Sequence, residues 1–244
     1  MVVTCLTGAI IPFVFPGLPR IRCAFTTRHA GNLSLYRAGT GDEDRDETLA
    51  ARETLAEALK IRSWTELRQV HGDTFVINPN PTPLDKEGSI EADGHATDRK
   101  NHALCVKTAD CQPILLAHPD GYVAAVHVGW RGNLIQFPQS AVADFCSAYS
   151  LDPGDVRAVR GPSLGHAEFV NFHREWPPTF APWYDQATRC MDLWALTRRQ
   201  LAAAGIRANH IYGLDLCTLT LNRTFFSHRK GDTGRQMGII WTEE

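Results

Sequence analysis

The sequence has no C-x-x-C pair, although it contains seven cysteines, at positions 5, 23, 105, 111, 146, 190 and 217. An odd number without paired spacing is neither a disulfide framework nor a zinc ribbon. No apolar run reaches the length of a membrane-crossing helix. The apolar start is broken by Pro12, Pro16 and Pro19, and no Lys or Arg precedes Arg20. A secretory signal needs a basic start and an unbroken apolar stretch. The expectation is a cytoplasmic protein with reduced thiols and no membrane partner. Neither sign of charge is in excess: 25 Lys and Arg oppose 27 Asp and Glu, for a net charge of −2. Nothing draws the whole surface toward nucleic acid, so an anion site must be a local cluster of arginines. H-E-x-x-H, H-x-H and the G-x-x-x-x-G-K phosphate loop are all absent, and Met1, Met191 and Met237 are the only methionines.

What is present is a mixture of strand and helix signals over 244 residues, with 43% apolar residues to build a core. Residues 21–28, 102–108, 112–118, 121–130, 156–163 and 210–218 read as strands, and 67–78 reads as two short strands around His71. Helices are predicted over 42–61, within 133–150 and over 191–206. Residues 78–93, rich in Pro and turn formers, read as a surface loop. Strands and helices mix without strict alternation. The expected class is α/β or α+β, with residues 1–244 forming one domain.

Three residues could carry chemistry together. His71 lies in QVHGD, Cys111 in TADCQP and His127 in VHVGWRG. Each could be ordinary: a turn histidine, a small buried hydrophobe, a hydrogen-bonded core histidine. Yet each stands at a strand end beside turn chemistry. Two imidazoles and a thiolate with a fourth position open suit a catalytic zinc site. The same pair, Cys111 and His127, could instead be a nucleophilic dyad. A second group, Arg28, Arg131, Arg229 and Arg235, lies in glycine-bearing loops. Guanidinium forks there suit phosphate or carboxylate.

The segments TTRHAGNLS, RQVHGD, EADGHATD, VKTADCQPILL, AAVHVGWRGN, RGPSLG and FFSHRKGDTGR follow one another in this chain. Together they resemble the YfiH or laccase-domain family, also called multicopper polyphenol oxidase, purine nucleoside phosphorylase or peptidoglycan editing factor. The resemblance covers residues from about 13 to 241. It implies a single α/β/α sandwich-type domain, of mixed sheets, similar to a deamidase toxin. It implies that His71, Cys111 and His127 bind a metal, usually zinc, with copper also able to enter.

The activities it implies are phosphorolysis of adenosine, inosine, guanosine and methylthioadenosine, and deamination of adenosine. Arg131 would join the catalytic set, and Arg28, Arg229 and Arg235 would bind substrate. Asp73 or Asp110 would orient a ligand histidine. Partners are expected to be small molecules, a purine nucleoside with phosphate or a muropeptide precursor, acting on a monomer. Two alternatives stand beside this reading: a Cys-His amide hydrolase of peptidoglycan precursors, and a copper-dependent polyphenol oxidase. The chain departs from the family after Gly165, where His166, Ala167 and Glu168 replace a common Cys-Cys pair.

Overall fold

The computed structural model describes residues 8–35 and 42–244. The strands in chain order are β1 (Ile10–Val14), β2 (Ile21–Thr26), β3 (Ser63–Glu66), β4 (Phe75–Ile77), β5 (Gly94–Thr97), β6 (His102–Thr108) and β7 (Gln112–Ala117). They continue as β8 (Val123–Val128), β9 (Arg157–Arg160), β10 (His166–Glu168), β11 (Tyr184–Asp185), β12 (Cys190–Asp192), β13 (Ile211–Gly213) and β14 (Gln236–Thr242). The α-helices are α1 (Asp42–Ala58), α2 (Trp130–Leu134), α3 (Phe137–Tyr149), α4 (Phe172–Glu175) and α5 (Leu193–Ala203).

Two mixed sheets face each other. One has the order β1-β2-β14-β6-β3, the other β13-β9-β7-β8-β5-β4. Between them lies a core that includes Phe25, Leu104, Val106, Leu115, Ala125 and Ile240. The outer face of the six-stranded sheet packs Ile114, Leu116, Val126 and Val128 against Phe137, Val142 and Phe145 of α3 and Leu201 of α5. The outer face of the five-stranded sheet packs Cys105, Ile239 and Trp241 with Leu55 of α1. The layers are therefore helix, sheet, sheet, helix. The expected sandwich is present with two sheets inside it. The strands β7 and β8 are buried at every position. A strand covered on both faces shows no alternation, so its sequence does not announce how many sheets stack.

A short three-stranded sheet, β10-β12-β11, with α4 forms a separate aromatic cluster built on Phe169, Phe172, Trp176 and Phe180. None of its strands exceeds three residues. No such sheet was expected there. The first half of 67–78 is also not a strand pair: it is loop with an isolated bridge from Arg68 to Glu91, and β4 follows. The segment 133–150, expected to begin as loop and become a helix, begins with the last two residues of α2, Asn133 and Leu134, followed by a turn at 135–136 and then α3. No helix among the described residues is long and apolar enough to cross a membrane.

One buried charge sets up the site from a distance. Arg52, on the inner side of α1, is fully buried and pairs with Glu66 at 3.1 Å. Its other donors reach the carbonyls of Leu33, Leu84 and Lys86. A buried guanidinium is tolerable only when its donors are filled. Here the filling pins the 78–93 loop, which ends in Asp93.

Candidate metal centre

His127 is the fifth residue of β8 and stands on its inter-sheet side. Its Nδ1 lies 2.7 Å from Asp93 Oδ1, and its backbone N–H donates to the Asp93 carbonyl. That leaves Nε2 for the open side of the site. His71 arrives from the loop ahead of β4 with φ of 60°, a left-handed conformation. Asp93 holds that turn: its carboxylate accepts the N–H groups of Val70, His71 and Gly72 at 3.1, 3.0 and 2.7 Å. Three successive N–H groups aimed at one anion form a nest. One buried carboxylate thus positions both histidines.

Cys111 directly precedes β7 and follows Asp110, whose φ is 85°. Asp110 accepts from the Thr218 hydroxyl at 2.7 Å and from the Arg229 N–H at 2.8 Å. Its carbonyl accepts the Leu164 N–H. Three distant segments are so fastened beside the thiol. Cys111 Sγ is 3.7 Å from His71 Nε2, and the His71 and His127 rings meet edge to face at 4.8 Å. The donor atoms of His71, Cys111 and His127 all lie within 4.8 Å of one another.

Each group's acidity follows from these neighbours. Burial alone would raise the Cys111 thiol, but His127 and His71 outweigh it and bring the pKa down to about 6. Burial alone would lower His127, but the Cys111 thiolate and the Asp93 carboxylate bring it up to about 9. Burial would raise Asp93 too, and its bond to His127 with the backbone N–H groups holds it below the usual carboxylate range. The protein by itself therefore favours a thiolate–imidazolium pair. A metal binds thiolate and neutral imidazole, so it would compete with the His127 proton for the same electron pair.

The donor set fits a metal. One sulfur and two nitrogens converge, the His127 ring is braced by Asp93 and the His71 turn is held by the same carboxylate, and a carboxylate–histidine arrangement like that at His127 is the usual support of a metal ligand. Gly129 completes the cradle. A Cβ there would lie 3.0 Å from His71 Cδ2 and 3.1 Å from Cys111 Sγ. Its φ of −83° is open to any residue, so glycine is needed for space alone. Gly129→Ala is expected to fold normally and to lower metal affinity by roughly tenfold or more, the lower end of what misplacing ligands costs. Metal titration with a colorimetric chelator as competitor, beside a melting curve, reads both. Unchanged affinity would mean that the ligands do not close on the space in front of Gly129.

The arginines divide. Arg235 spends Nη1 on the carbonyls of Asp232, Thr233 and Gly234, and the charges of Cys111 and Asp110 reach its guanidinium. Arg28 is engaged by Asp232 at 2.6 Å and lies over the Phe226 ring. Arg131 stacks on Trp130 and Arg229 on Phe169, both at the aromatic cluster. The residue missed by sequence reasoning is Asp93. Neither Asp73, which is exposed, nor Asp110 holds a ligand histidine. Asp93 was visible only as a member of the acidic EADGHATD segment.

Met191 and Met237 are buried in two separate apolar clusters that contain none of the three site residues, and Met1 lies outside the described residues. Among the described residues, the His71–Cys111–His127 group is the one set of three or more His, Cys, Asp or Glu side chains placed to share an ion. Gly161-Pro162-Ser163-Leu164-Gly165 has the spacing of a nucleophile elbow but is not one. Ser163 is fully buried, and its hydroxyl donates to the Gly161 carbonyl and accepts from the Trp194 indole at 2.9 Å.

The chain as a whole is similar to known proteins. The chain is 31% identical over 249 residues to purine nucleoside phosphorylase PA4543 of Pseudomonas aeruginosa, covering 94% of this chain and 97% of that one. It is 30% identical over 251 residues to purine nucleoside phosphorylase YlmD of Geobacillus stearothermophilus, covering 90% and 89%. The crystal structure of the hypothetical protein YfiH of Bacillus licheniformis superposes with a TM-score of 0.81 at 25% identity, over 93% of this chain and 94% of that one. Residues 22–243 match the family described as multi-copper polyphenol oxidoreductase laccase. With a match over nearly its whole length, the chain belongs to that family, the laccase-domain or YfiH family.

Proposed function

We propose that this protein is a zinc-dependent purine nucleoside phosphorylase, acting on adenosine, inosine, guanosine and methylthioadenosine, with adenosine deamination as a second activity. The observation that carries the reading is the convergence of His71, Cys111 and His127 on one space, braced by Asp93. Relatives that cover almost the whole chain are named for this reaction. In phosphorolysis a phosphate oxygen attacks C1′ of the ribose. The C1′–N9 bond breaks, the electron pair leaves with the purine, and the purine takes a proton. The products are ribose 1-phosphate, or its 5-methylthio analogue from methylthioadenosine, and free base.

Within the site, Asp93 fixes the tautomer and angle of His127, and its nest keeps the His71 turn in place. The charges of Cys111 and Asp110 act on the Arg235 guanidinium, and it suits the phosphate. Zinc, when bound, would supply Lewis acidity without redox chemistry. The six described cysteines are all free, which supports a reducing, cytoplasmic setting.

Zinc-loaded protein is expected to release free base from a purine nucleoside only when phosphate is present. Inosine should form from adenosine without phosphate. Arg235→Gln should weaken the phosphate-dependent reaction by roughly tenfold to a hundredfold, the range for removing a charge-assisted hydrogen bond. Deamination should suffer less. Failure of the zinc-loaded enzyme to cleave any purine nucleoside overturns the reading.

One observation favours a second reading. Cys111, His127 and Asp93 form a thiolate, an imidazolium and an orienting carboxylate, the arrangement of a cysteine hydrolase. Its substrate would be an amide, such as that of a muropeptide precursor. His71 separates the two: the hydrolase would keep its activity in His71→Ala, whereas a metalloenzyme would lose it.

A further inference from the structure

A cavity of about 390 Å³ lies away from the metal centre. It lies between the ends of β9 and β13 and the start of α5. Arg160, Asp192, Trp194, Arg198, Leu201 and Asp215 are among its walls. The register separates it from the site already described. Arg160 pairs with Ile114, which packs against the α3 and α5 layer. His127 pairs with Pro113, the neighbouring residue, and so stands on the opposite face of the sheet.

Arg160 is the anomaly in this cavity. Its side chain is 7% exposed, and its ion-pair partner, Asp215, is 69% exposed. The guanidinium lies 4.2 Å from the Trp194 ring centre, with Ser163 Oγ 3.5 Å from Nη1. Trp194 is itself held by Ser163, so the stacking plate is fixed. The pairing edge of Arg160 is closed only by Asp215. That residue has φ of 52°, in the left-handed region, and sits in the turn that follows β13. Gly213 makes room for the contact, since a Cβ there would lie 2.9 Å from Asp215 Oδ1 and closer still to Arg160 Nη2.

A buried guanidinium left without an anion is strongly disfavoured. An exposed side chain is a loose lid over it, free to exchange with a dissolved anion of the same shape. The cavity supplies the rest of a binding site. Leu201 and Ile211 make an apolar floor, and the volume falls in the range of small-molecule sites. Arg198, fastened to the carbonyls of Ala208 and Ile211, adds a second positive charge near Arg160. Asp192 and Asp215 at the rim oppose a multiply charged anion. We infer that this cavity is a second ligand site, which takes an organic monocarboxylate with a compact apolar body, its carboxylate replacing Asp215 on Arg160.

The proposal does not depend on the metal centre or on the reaction there. Benzoate is a suitable probe, with benzylamine as a control of the same shape and opposite charge. Binding is read by calorimetry and by ligand-observed NMR on the full chain. Wild-type protein is expected to bind benzoate and not benzylamine. Asp215→Asn removes the competing charge from an exposed position and leaves an amide oxygen that can still accept from Arg160, so the fold should be kept. It should tighten benzoate binding by about two- to fivefold, the scale of one ion pair with an exposed partner freed from competition. Arg160→Met should abolish binding. Absence of benzoate binding in both wild type and Asp215→Asn overturns the proposal. So does equal binding of benzylamine, or an Asp215→Asn variant that binds benzoate no more tightly than wild type.

Discussion

Cys111→Ala protein purified without added metal should be nearly free of zinc, whereas wild-type protein should carry about one ion per chain, as three converging N and S ligands imply. The expected loss of affinity exceeds a hundredfold. Removal of a residue that merely supports a ligand already costs roughly ten- to a hundredfold, and Cys111 is the sulfur itself. It is also the softest donor of the set and the one that the protein already holds as a thiolate. Neither of its neighbours replaces it: Asp110 is committed to Thr218 and Arg229, and Gln112 donates to Asn133. Cys146→Ala is the matched control, because Cys146 is buried in the helix-side core and shares no contact cluster with the site. Elemental analysis of the two variants side by side decides the matter. Equal zinc in both would remove Cys111 from the ligand set and leave the thiolate–imidazolium pair as the reactive feature of this chain.

Two of the three candidate ligands, Cys111 and His127, were legible in the sequence because each stands at the junction of an apolar strand and a turn, whereas His71 lies in loop. VAAVHVGW and KTADCQP are such junctions, and the apolar run on one side fixes where the polar residue must emerge. Asp93 was not legible for the opposite reason. Its function exists only because β5 pairs with β8 in a register that sets Asp93 across from His127. Along the chain, Asp73 is nearer to His71 and Asp110 is nearer to Cys111, so sequence distance pointed to the wrong carboxylates. The strand β5 itself, GHAT, is too short and too mixed in character to stand out. The same holds for the aromatic segment from Leu164 to Leu193. Its strands of two or three residues are held by packing of Phe169, Phe172 and Trp176 and carry no periodic signal. Burial on both faces of β7 and β8 identified the core strands but hid the second sheet. The helices fared better because their patterns are long. The buried face of α1, however, is centred on Arg52 as much as on its leucines.

Asp93→Ala should be the most damaging substitution outside the ligands, and it should act on stability and on metal affinity together. The carboxylate is fully buried and accepts four hydrogen bonds, three from the backbone of the His71 turn and one from His127 Nδ1. Alanine takes the shared acceptor away from all four donors, of which the His127 Nδ1 is the buried one. Uncompensated buried polar groups of this kind cost about 3–5 kcal/mol. For a chain of this length that corresponds to a fall in melting temperature of about 10 °C or more. The His71 turn would lose the anion that stabilises its left-handed backbone, and His127 would lose the partner that fixes its tautomer. Metal affinity should therefore fall by roughly ten- to a hundredfold on top of the loss in stability.

Asp93→Asn separates shape from charge. It keeps the volume, but its amide nitrogen turns two N–H bonds toward groups that are themselves donors. It should recover only part of the lost stability. Asp73→Asn, at an exposed position in the same turn, should stay within about 0.5 kcal/mol of wild type. Thermal melts with and without chelator, read beside zinc content, distinguish these outcomes. If Asp93→Asn matches wild type in both, then the nest and the His127 bond do not hold the site, and the two histidines are positioned by the strands alone.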